Sequence, residues 1–275
     1  MSGAASRRPR TVGVIPARLN SSRFPEKVLA AETGKPLIVH VLEQARKARS
    51  LDDILVAADH PRIVAAVEAA GGTAILTRED HPNGTSRLAE VAEILQARGT
   101  PADVFVNVQG DEPEIEPDVI DAAAELLHAS PWADVATVAT PFAPGEDPAN
   151  PNLVKVALGA GGRALYFSRA QIPFHRDAAK AGNGVPPRAT PLRHVGLYVY
   201  RTSFLPTFVS WPPSPLEETE SLEQLRVLEH GHGIAVTVRT VTSQGIDTRE
   251  QYDAFLARWR SSAAPRFPLA NPTHS

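Results

Sequence analysis

Three cationic side chains follow the first apolar run of the sequence. Residues 12–15 are mostly β-branched and predict a buried strand. We expect Pro16 to end that strand, because proline cannot donate a hydrogen bond to a neighbouring strand. Arg18, Arg23 and Lys27 come next, among small polar residues. Arginine can hold two phosphate oxygens as a fork and lysine acts as a point charge. The loop therefore suits a polyanion such as a triphosphate, with a solvated basic loop as the plain alternative.

Two further polar clusters also lie at predicted element boundaries. Residues 81–87 read His-Pro-Asn-Gly-Thr-Ser-Arg and open a helix that runs through Gln96. Residues 109–112 read Gln-Gly-Asp-Glu and follow the apolar strand 103–108. In parallel α/β sheets, ligands bind outside the carboxyl ends of the strands. We therefore expect all three clusters to meet at one site.

The elements that must position these clusters alternate between strands and helices. Further strands are predicted at 54–58, 73–77 and 134–140, and helices at 36–49, 61–70 and 117–128. This alternation predicts an α/β fold with a doubly wound, mostly parallel central sheet and flanking helices.

After residue 141 the alternation gives way to a different pattern. The sequence predicts a hairpin within 153–168, a polar excursion at 174–191, one helix at 216–229 and a last helix from the capping box Thr248–Gln251 to Trp259, with strands at 194–200 and 234–241. We predict disordered tails at 1–10 and 262–275 and a single domain over 11–261, with a small inserted lobe around 165–230.

Composition excludes several classes of function. The chain of 275 residues has a net charge of -3 and no cysteine. Disulfides, thiolate catalysis and cysteine-based metal sites are therefore excluded, and we expect neither a nucleic-acid partner nor a membrane association. A dehydrogenase is disfavoured because no Gly-x-Gly-x-x-Gly follows the first strand, and the chain has no Walker-type phosphate loop.

An ordered set of motifs resembles the 3-deoxy-manno-octulosonate cytidylyltransferases, also called CMP-KDO synthetases. The motifs are IPAR at 15–18, GKPLIVHV at 34–41, NVQGDEP at 107–113, LYFSRAQIP at 165–173, RHVGLYVYR at 193–201, PSPLE at 213–217, LEQLRVL at 222–228 and GIDT at 245–248. The resemblance implies a nucleotide-diphospho-sugar transferase-like fold. It also implies that CTP and the acidic eight-carbon sugar KDO give CMP-KDO and pyrophosphate with magnesium. It further implies a cytoplasmic homodimer that serves lipopolysaccharide-type biosynthesis.

The resemblance also assigns roles at the nucleotide. It implies four catalytic residues: Arg18 and Lys27, which bind the triphosphate, and Asp111 and Asp247, whose carboxylates bind magnesium. Asp111 is also expected to contact the nucleotide. The remaining nucleotide contacts that it implies are Ser22, Gly84, Thr85, Arg87 and Gln109. Each role has a plainer alternative: Asp247 as an acid before a helix, Arg87 as a helix-surface charge, and Gly84 with Thr85 as an ordinary helix start.

For the sugar, the resemblance points to Arg169, His194, Glu223 and Gln224. The plain alternatives are a strand histidine satisfied by the core and an exposed helix face. The family also implies that helix 216–229 and excursion 174–191 contribute to a dimer interface, although leucines such as Leu222, Leu225 and Leu228 more often form core.

The chain departs from the common family pattern at several positions. Glu26 stands where the family usually has glycine, so its carboxylate must point away from the phosphates or pair with Arg23. The other departures are Pro82, Asn83 and Ser86 in the turn and Phe174-His175 in the excursion. The rival functions are a cytidylyltransferase for a related acidic sugar, of 8-amino-KDO or sialic acid type, and a non-catalytic nucleotide-binding protein.

Overall fold

Apolar, β-branched runs form a nine-stranded sheet in the computed structural model, which describes residues 8–176 and 189–263. The strands are β1 (Thr11–Ala17), β2 (Asp53–Ala58), β3 (Ala74–Leu76), β4 (Val104–Asn107), β5 (Val135–Pro141), β6 (Lys155–Leu158), β7 (Ala164–Ser168), β8 (Leu192–Arg201) and β9 (Ile234–Val238). The helices are α1 (Leu37–Ala45), α2 (Pro61–Ala69), α3 (Gly84–Ala97), α4 (Pro117–Ala129), α5 (Leu205–Ser210), α6 (Pro215–Glu220), α7 (Gln224–Glu229) and α8 (Arg249–Ala263).

The strand order confirms the predicted α/β class. The main path runs β3-β2-β1-β4-β8-β5-β9, and the β6–β7 hairpin joins it at β8. The first four strands are parallel, as are β5 and β9, whereas β8 runs antiparallel to both of its neighbours. The sheet is therefore mixed beyond β4, because β8 returns from the inserted lobe rather than from a crossover helix.

Helices cover both faces of the sheet. Ile15 of β1 is fully buried in one layer with apolar residues of α1, α2 and α4. Its neighbour Val14 is buried in the opposite layer, with residues of α3, α5 and α7. Successive strand residues point to opposite faces, so β1 is anchored on both sides. This anchoring fixes where its carboxyl end, and the loop that follows it, lie.

The prediction that Pro16 ends the first strand was wrong. β1 continues to Ala17, and Pro16 is aligned with Ala57 of β2. Its pairing with β4 ends earlier, at Val14 opposite Asn107. Proline, which has no backbone N–H, is therefore tolerated at this end of β1, because β1 pairs there with β2 and no longer with β4.

The single helix predicted over 216–229 was also wrong. The segment forms two short helices, α6 and α7, separated at Ser221, whose φ of 51° is left-handed. A fork from Arg226 of α7 to Glu217 of α6, with both contacts at 2.7 Å, holds the two helices together. Leu222 and Leu225 are buried in the core beneath this break.

The predicted tails lie mostly outside the described residues. Of the predicted tails, the structure describes residues 8–10 and 262–263. There the Arg10 backbone amide donates to Asp103 at 2.6 Å, and α8 extends to Ala263. Most of the predicted excursion, from 177 to 188, is also outside the described residues. Among the described residues, no helix combines the length and the apolar composition needed to span a bilayer.

Candidate active site

A polar cleft of about 1040 Å³ opens at the carboxyl ends of β1 and β4. The three polar clusters of the sequence meet there, joined by one residue of the 245–248 motif and by residues of the inserted lobe. The predicted site residues that line it are Arg18, Ser22, Lys27, Gly84, Thr85, Arg87, Gln109, Asp111, Glu223 and Asp247. The expected convergence of the clusters is therefore present in the fold.

The buried Lys27 ammonium lies at one end of this cleft between two acidic side chains. Its Nζ donates to Asp111 Oδ2 at 2.7 Å, to Asp247 Oδ1 at 3.0 Å and to the Ile246 carbonyl at 2.7 Å. Lys27 starts a 3₁₀ turn, Lys27–Leu29, which sets the direction of its side chain. Two carboxylates that are far apart in the sequence thus contact one cation.

Close backbone packing brings these carboxylates together. The Ile246 amide donates to the Asp111 carbonyl at 2.9 Å, which docks the loop before α8 onto the end of β4. A Cβ on Gly110 would lie 2.6 Å from the Pro16 carbonyl oxygen, closer than side chains approach backbone. Glycine at this position therefore allows the loops after β1 and β4 to approach each other.

Two arginines extend the positive charge along the cleft. Arg23 contacts Asp247 Oδ2 at 2.9 Å, so it does not pair with Glu26 as one of the predicted alternatives required. Arg18 is exposed on the cleft wall, where a phosphate chain can reach it. The loop after β1 thus presents cationic groups both to Asp111 and Asp247 and to the open cleft.

The donor set at Asp111 and Asp247 fits a magnesium ion that shares substrate oxygens. Both carboxylates already lie around one positive charge, that of Lys27. The described residues contain no group of three or more His, Cys, Asp or Glu side chains that could enclose a metal. Magnesium is commonly held by one or two carboxylates plus substrate phosphates, so the missing ligands match those a triphosphate would bring. Asp247 also precedes α8, so its plain alternative as a pre-helix acid is compatible with this role.

The predicted nucleotide turn is the start of α3. Asn83 caps the helix by accepting from the Ser86 amide at 2.9 Å, so this departure from the family pattern keeps a capping side chain. Arg87 is buried, not a helix-surface charge, and donates to the Thr77 hydroxyl and to the Arg78 carbonyl at 2.9 Å. Burial lowers the pKa of Arg87. Its Nη1 therefore fixes the segment that precedes the turn, whereas the buried Nη2 has no hydrogen-bond partner among the described residues.

Glu223 faces the cleft from the lobe side. Thr85 Oγ1 donates to Glu223 Oε2 at 3.1 Å, which links the start of α3 to the residue before α7. Burial raises the pKa of Glu223 to about 7. Its carboxyl group can therefore exchange a proton near neutral pH.

Tyr198 and Tyr200 also line the cleft, although the sequence analysis did not single them out. Their rings stack with centroids 6.0 Å apart on one face of β8. The alternating pattern of residues 194–200 could have indicated this pair, because residues two apart in a strand share a face. Tyr198 and Tyr200 are two apart and therefore lie side by side. Next to them, Gln109 Nε2 donates to the Gly196 carbonyl at 2.8 Å.

Arg169 does not line the cleft. Its guanidinium donates to the Glu220, Pro151 and Ser221 carbonyls at 2.7, 3.0 and 3.2 Å. These bonds clamp the end of β7 to the break between α6 and α7. The structure therefore gives Arg169 a structural task, and its role at the sugar stays a prediction.

His194 and Gln224 also lie outside the cleft lining. His194 Nε2 bonds with Thr137 Oγ1 at 2.9 Å, and its ring packs edge-on against Phe167 with centroids 5.0 Å apart. Burial lowers the pKa of His194 to about 3, so the ring is neutral. This matches the plain alternative of a strand histidine satisfied by the core. Gln224 is buried at the start of α7.

Comparison with known proteins shows the family. The cytidylyltransferase family model matches residues 12–236. The 3-deoxy-manno-octulosonate cytidylyltransferase of Syntrophobacter fumaroxidans is 50% identical over 89% of this chain and 95% of its own length. That of an Acidovorax species is 50% identical over 87% and 93%. A solved structure of CMP:2-keto-3-deoxy-manno-octonic acid synthetase complexed with CTP is 39% identical, with a TM-score of 0.83 over 92% of this chain and 99% of that one. This chain therefore belongs to the cytidylyltransferase family, among the 3-deoxy-manno-octulosonate cytidylyltransferases.

Proposed function

We propose that this protein transfers the cytidylyl group of CTP to 3-deoxy-manno-octulosonate, giving CMP-KDO and pyrophosphate. The sugar's anomeric hydroxyl attacks the α-phosphorus, and the bond from that phosphorus to the pyrophosphate oxygen breaks. The observation that carries the proposal is the Lys27 ammonium held between Asp111 and Asp247 inside a cleft walled by further cations. The relatives named above and the CTP-complexed neighbour support the substrates.

The residues of the cleft suit this chemistry. Phosphoryl-type transfer depends mainly on positioning and on stabilising charge, and it needs cations at the leaving group. We propose that Arg18 and Lys27 bind the triphosphate, with Ser22 on the same loop. We also propose that the nucleoside contacts four other residues that line the same cleft: Gly84, Thr85, Arg87 and Gln109.

We propose that Asp111 and Asp247 hold magnesium when the nucleotide is bound. The ion would supply positive charge to the leaving pyrophosphate and lower the pKa of the attacking hydroxyl. Two carboxylates at one point of the cleft, with phosphate oxygens from the substrate, make the hard oxygen shell that this ion prefers.

Polar groups of the cleft also suit a sugar with many hydroxyl groups. Of the four residues predicted to contact it, Glu223 lines the cleft, together with Thr85 and the tyrosines of β8. A carboxyl group with a pKa near neutrality and phenol hydroxyls can both donate to and accept from sugar hydroxyls. Arg169, His194 and Gln224 do not line the cleft, and their contact with the sugar stays a prediction.

Pyrophosphate release with CTP, magnesium and a panel of acidic sugars tests the proposal. We expect turnover with KDO. Turnover with 8-amino-KDO or a sialic acid, and none with KDO, would assign the protein to the related-sugar alternative. CTP binding without pyrophosphate release for any sugar would instead favour the non-catalytic alternative.

We further infer that the protein acts as a cytoplasmic homodimer in lipopolysaccharide-type sugar biosynthesis. The support for this inference is the family resemblance and the chemistry of an activated acidic sugar. Light scattering of the purified protein measures the mass of the assembly directly, and a monomeric mass would contradict the dimer.

A further inference from the structure

Glu26 places a negative charge in the wall of a cleft built to hold a polyanion. It directly precedes Lys27 and lines the cleft with Arg18 and Arg23. Its backbone φ of 53° is left-handed, a conformation that glycine adopts far more readily than glutamate. Both the charge and the backbone conformation work against glutamate at this position, so something else in the fold must accommodate it.

Arg62 accommodates this carboxylate from outside the cleft. Its two guanidinium nitrogens contact the two carboxylate oxygens of Glu26 at 2.5 and 2.8 Å, a bidentate fork. Arg62 lies in the first turn of α2, where its own amide donates to His60 Nδ1 at 3.1 Å. It is not among the residues that line the cleft.

The fork aims the Glu26 side chain toward α2. Both partners are about half exposed, with side-chain exposures of 53% for Arg62 and 48% for Glu26. An exposed pair of this kind adds little to the stability of the fold. Its effect on a bound polyanion is larger in principle, because an unpaired carboxylate beside a triphosphate repels it directly.

The same pair also connects the loop after β1 to helix α2. The Glu26 carbonyl accepts from the Leu29 amide at 2.8 Å, so Glu26 is the N-cap residue of the turn that Lys27 starts. An anchor on Glu26 thereby acts one residue away from the ammonium that contacts Asp111 and Asp247.

We propose that Arg62 is a positioning residue for nucleotide binding: it neutralises Glu26 and ties the start of the Lys27 turn to α2, without contacting the nucleotide itself. The proposal rests on the proposed binding of CTP in this cleft. It assigns to Arg62 a task that chains with glycine before the lysine would not need.

A double-mutant cycle tests this assignment. The affinity for CTP with magnesium is measured by calorimetry for the wild type, Arg62→Ala, Glu26→Gln and the double variant, at low salt. We expect Arg62→Ala to weaken CTP binding by about three- to tenfold, because it leaves the Glu26 carboxylate unpaired. In the Glu26→Gln background, the same substitution should change the affinity by less than about twofold.

Three further measurements separate charge from general loss of structure. Arg62→Lys should recover part of the affinity, since it keeps the charge without the fork. The loss in Arg62→Ala should shrink at about 0.5 M NaCl, where exposed charges are screened. With KDO as co-substrate, the KM for CTP should rise more than kcat falls.

Arg49→Ala is the matched control. Arg49 is exposed, pairs with Asp121 at 3.5 Å and precedes β2, at the opposite end of the strands from the cleft. Its removal deletes the same charge and should change CTP affinity by less than about twofold. Thermal midpoints of all variants confirm that each one folds.

Two results with the Arg62 variants would overturn the proposal. An equal loss on removing Arg62 in the wild-type and Glu26→Gln backgrounds would show that Arg62 acts on the nucleotide or the loop independently of the carboxylate. Unchanged affinity in Arg62→Ala would show that the fork has no effect. A wild type that binds CTP but transfers its cytidylyl group to no sugar would refute the proposed function and leave this inference standing. A wild type that does not bind CTP would refute both.

Discussion

At the residue scale, the proposed chemistry depends on the oxygens gathered around the Lys27 ammonium. Three of them lie within 3.0 Å of its nitrogen, two from carboxylates and one from a carbonyl. Lys27 held in this way, together with Arg23 on Asp247, balances the charge of Asp111 and Asp247 before any nucleotide arrives. Binding of a triphosphate would offer the ammonium new anionic partners and leave Asp111 and Asp247 available to a divalent ion.

Asp111→Asn should separate binding from chemistry. The amide keeps the shape of the side chain and an oxygen for Lys27 but removes one negative charge from the proposed metal site. We expect CTP to bind while pyrophosphate release falls about 10²-fold or more, since a metal clamp contributes several kcal/mol at the transition state. Calorimetry and a pyrophosphate assay measure the two effects.

Asp118→Asn is the control for that experiment, because Asp118 is an exposed acid in the first turn of α4 and is not part of the cleft lining. It should retain nearly full activity. Full activity in Asp111→Asn would contradict the metal assignment.

The neutral ring of His194 predicts a loss of stability in acid. Its folded-state pKa is about 3, below its ordinary value of 6.5. As the pH falls through this window, the unfolded chain takes up a proton that the folded chain refuses, so the free energy of unfolding decreases. Between pH 6.5 and 5 the loss from this one group is at most about 2 kcal/mol.

Urea unfolding of the wild type and His194→Gln at pH 7.5 and pH 5 checks this prediction. The variant should lose less stability than the wild type between the two pH values, because it removes one group that titrates in the unfolded state alone. An identical pH dependence would show that the fold does not lower the pKa of this imidazole.

At the element scale, the cleft depends on how closely the ends of β1 and β4 approach each other. The pairing of β1 with β4 stops at Val14. Beyond it, the two segments continue into the loops that carry Lys27 and Asp111. Gly110 lies against the Pro16 carbonyl at this point. The position of the loops that carry Lys27 and Asp111 therefore depends on a backbone contact that leaves no room for a side chain.

Gly110→Ala should damage both stability and activity. Its Cβ would lie 2.6 Å from the Pro16 oxygen, and backbone cannot yield as a flexible side chain can. We expect a loss of about 1–3 kcal/mol in the free energy of unfolding and a larger relative loss in pyrophosphate release.

Gly196→Ala, in β8, is the matched substitution, because its Cβ would meet its nearest neighbour, Gln109 Cγ, at an ordinary 3.8 Å. Urea unfolding and the pyrophosphate assay compare the two variants. Equal behaviour of the two would show that the approach at Gly110 is not limiting.

At the scale of the whole molecule, ligand binding should stabilise the fold by linkage. The cleft joins segments from β1, β4, the α3 start, the lobe and the loop before α8, so a nucleotide that contacts them all stabilises the assembled state. At a CTP concentration of 100 times the dissociation constant, the gain is about 2.7 kcal/mol. This corresponds to a rise of about 5 to 10 °C in thermal midpoint for a chain of this size.

Removing magnesium should reduce that rise. We expect EDTA to shrink the CTP-dependent shift in a thermal scan, because the phosphate oxygens then lose the ion that Asp111 and Asp247 would share with them. Magnesium alone should give a smaller shift than magnesium with CTP, since Lys27 and Arg23 already neutralise both carboxylates. An equal shift with magnesium alone would indicate a metal site independent of the nucleotide.

The sequence by itself determined the local elements and the composition of the cleft. The runs that became β1, β2 and β4 are continuous and apolar, and the polar clusters after them could be located at one sheet edge from the rule for parallel strands. Arg18, Lys27 and Asp111 were found in this way, whereas Asp247 was identified from family resemblance. These features are local, so residue order alone carries them.

The tertiary structure alone decided which polar groups face the cleft and which are used elsewhere. Periodicity could not place the break at Ser221, which requires a left-handed residue that a leucine pattern does not reveal. Nor could it tell that Arg169 clamps backbone, that Arg23 contacts Asp247, or that Glu26 pairs with Arg62. An arginine or a glutamate can bind substrate or brace the fold, and the choice depends on partners that lie far away in the sequence.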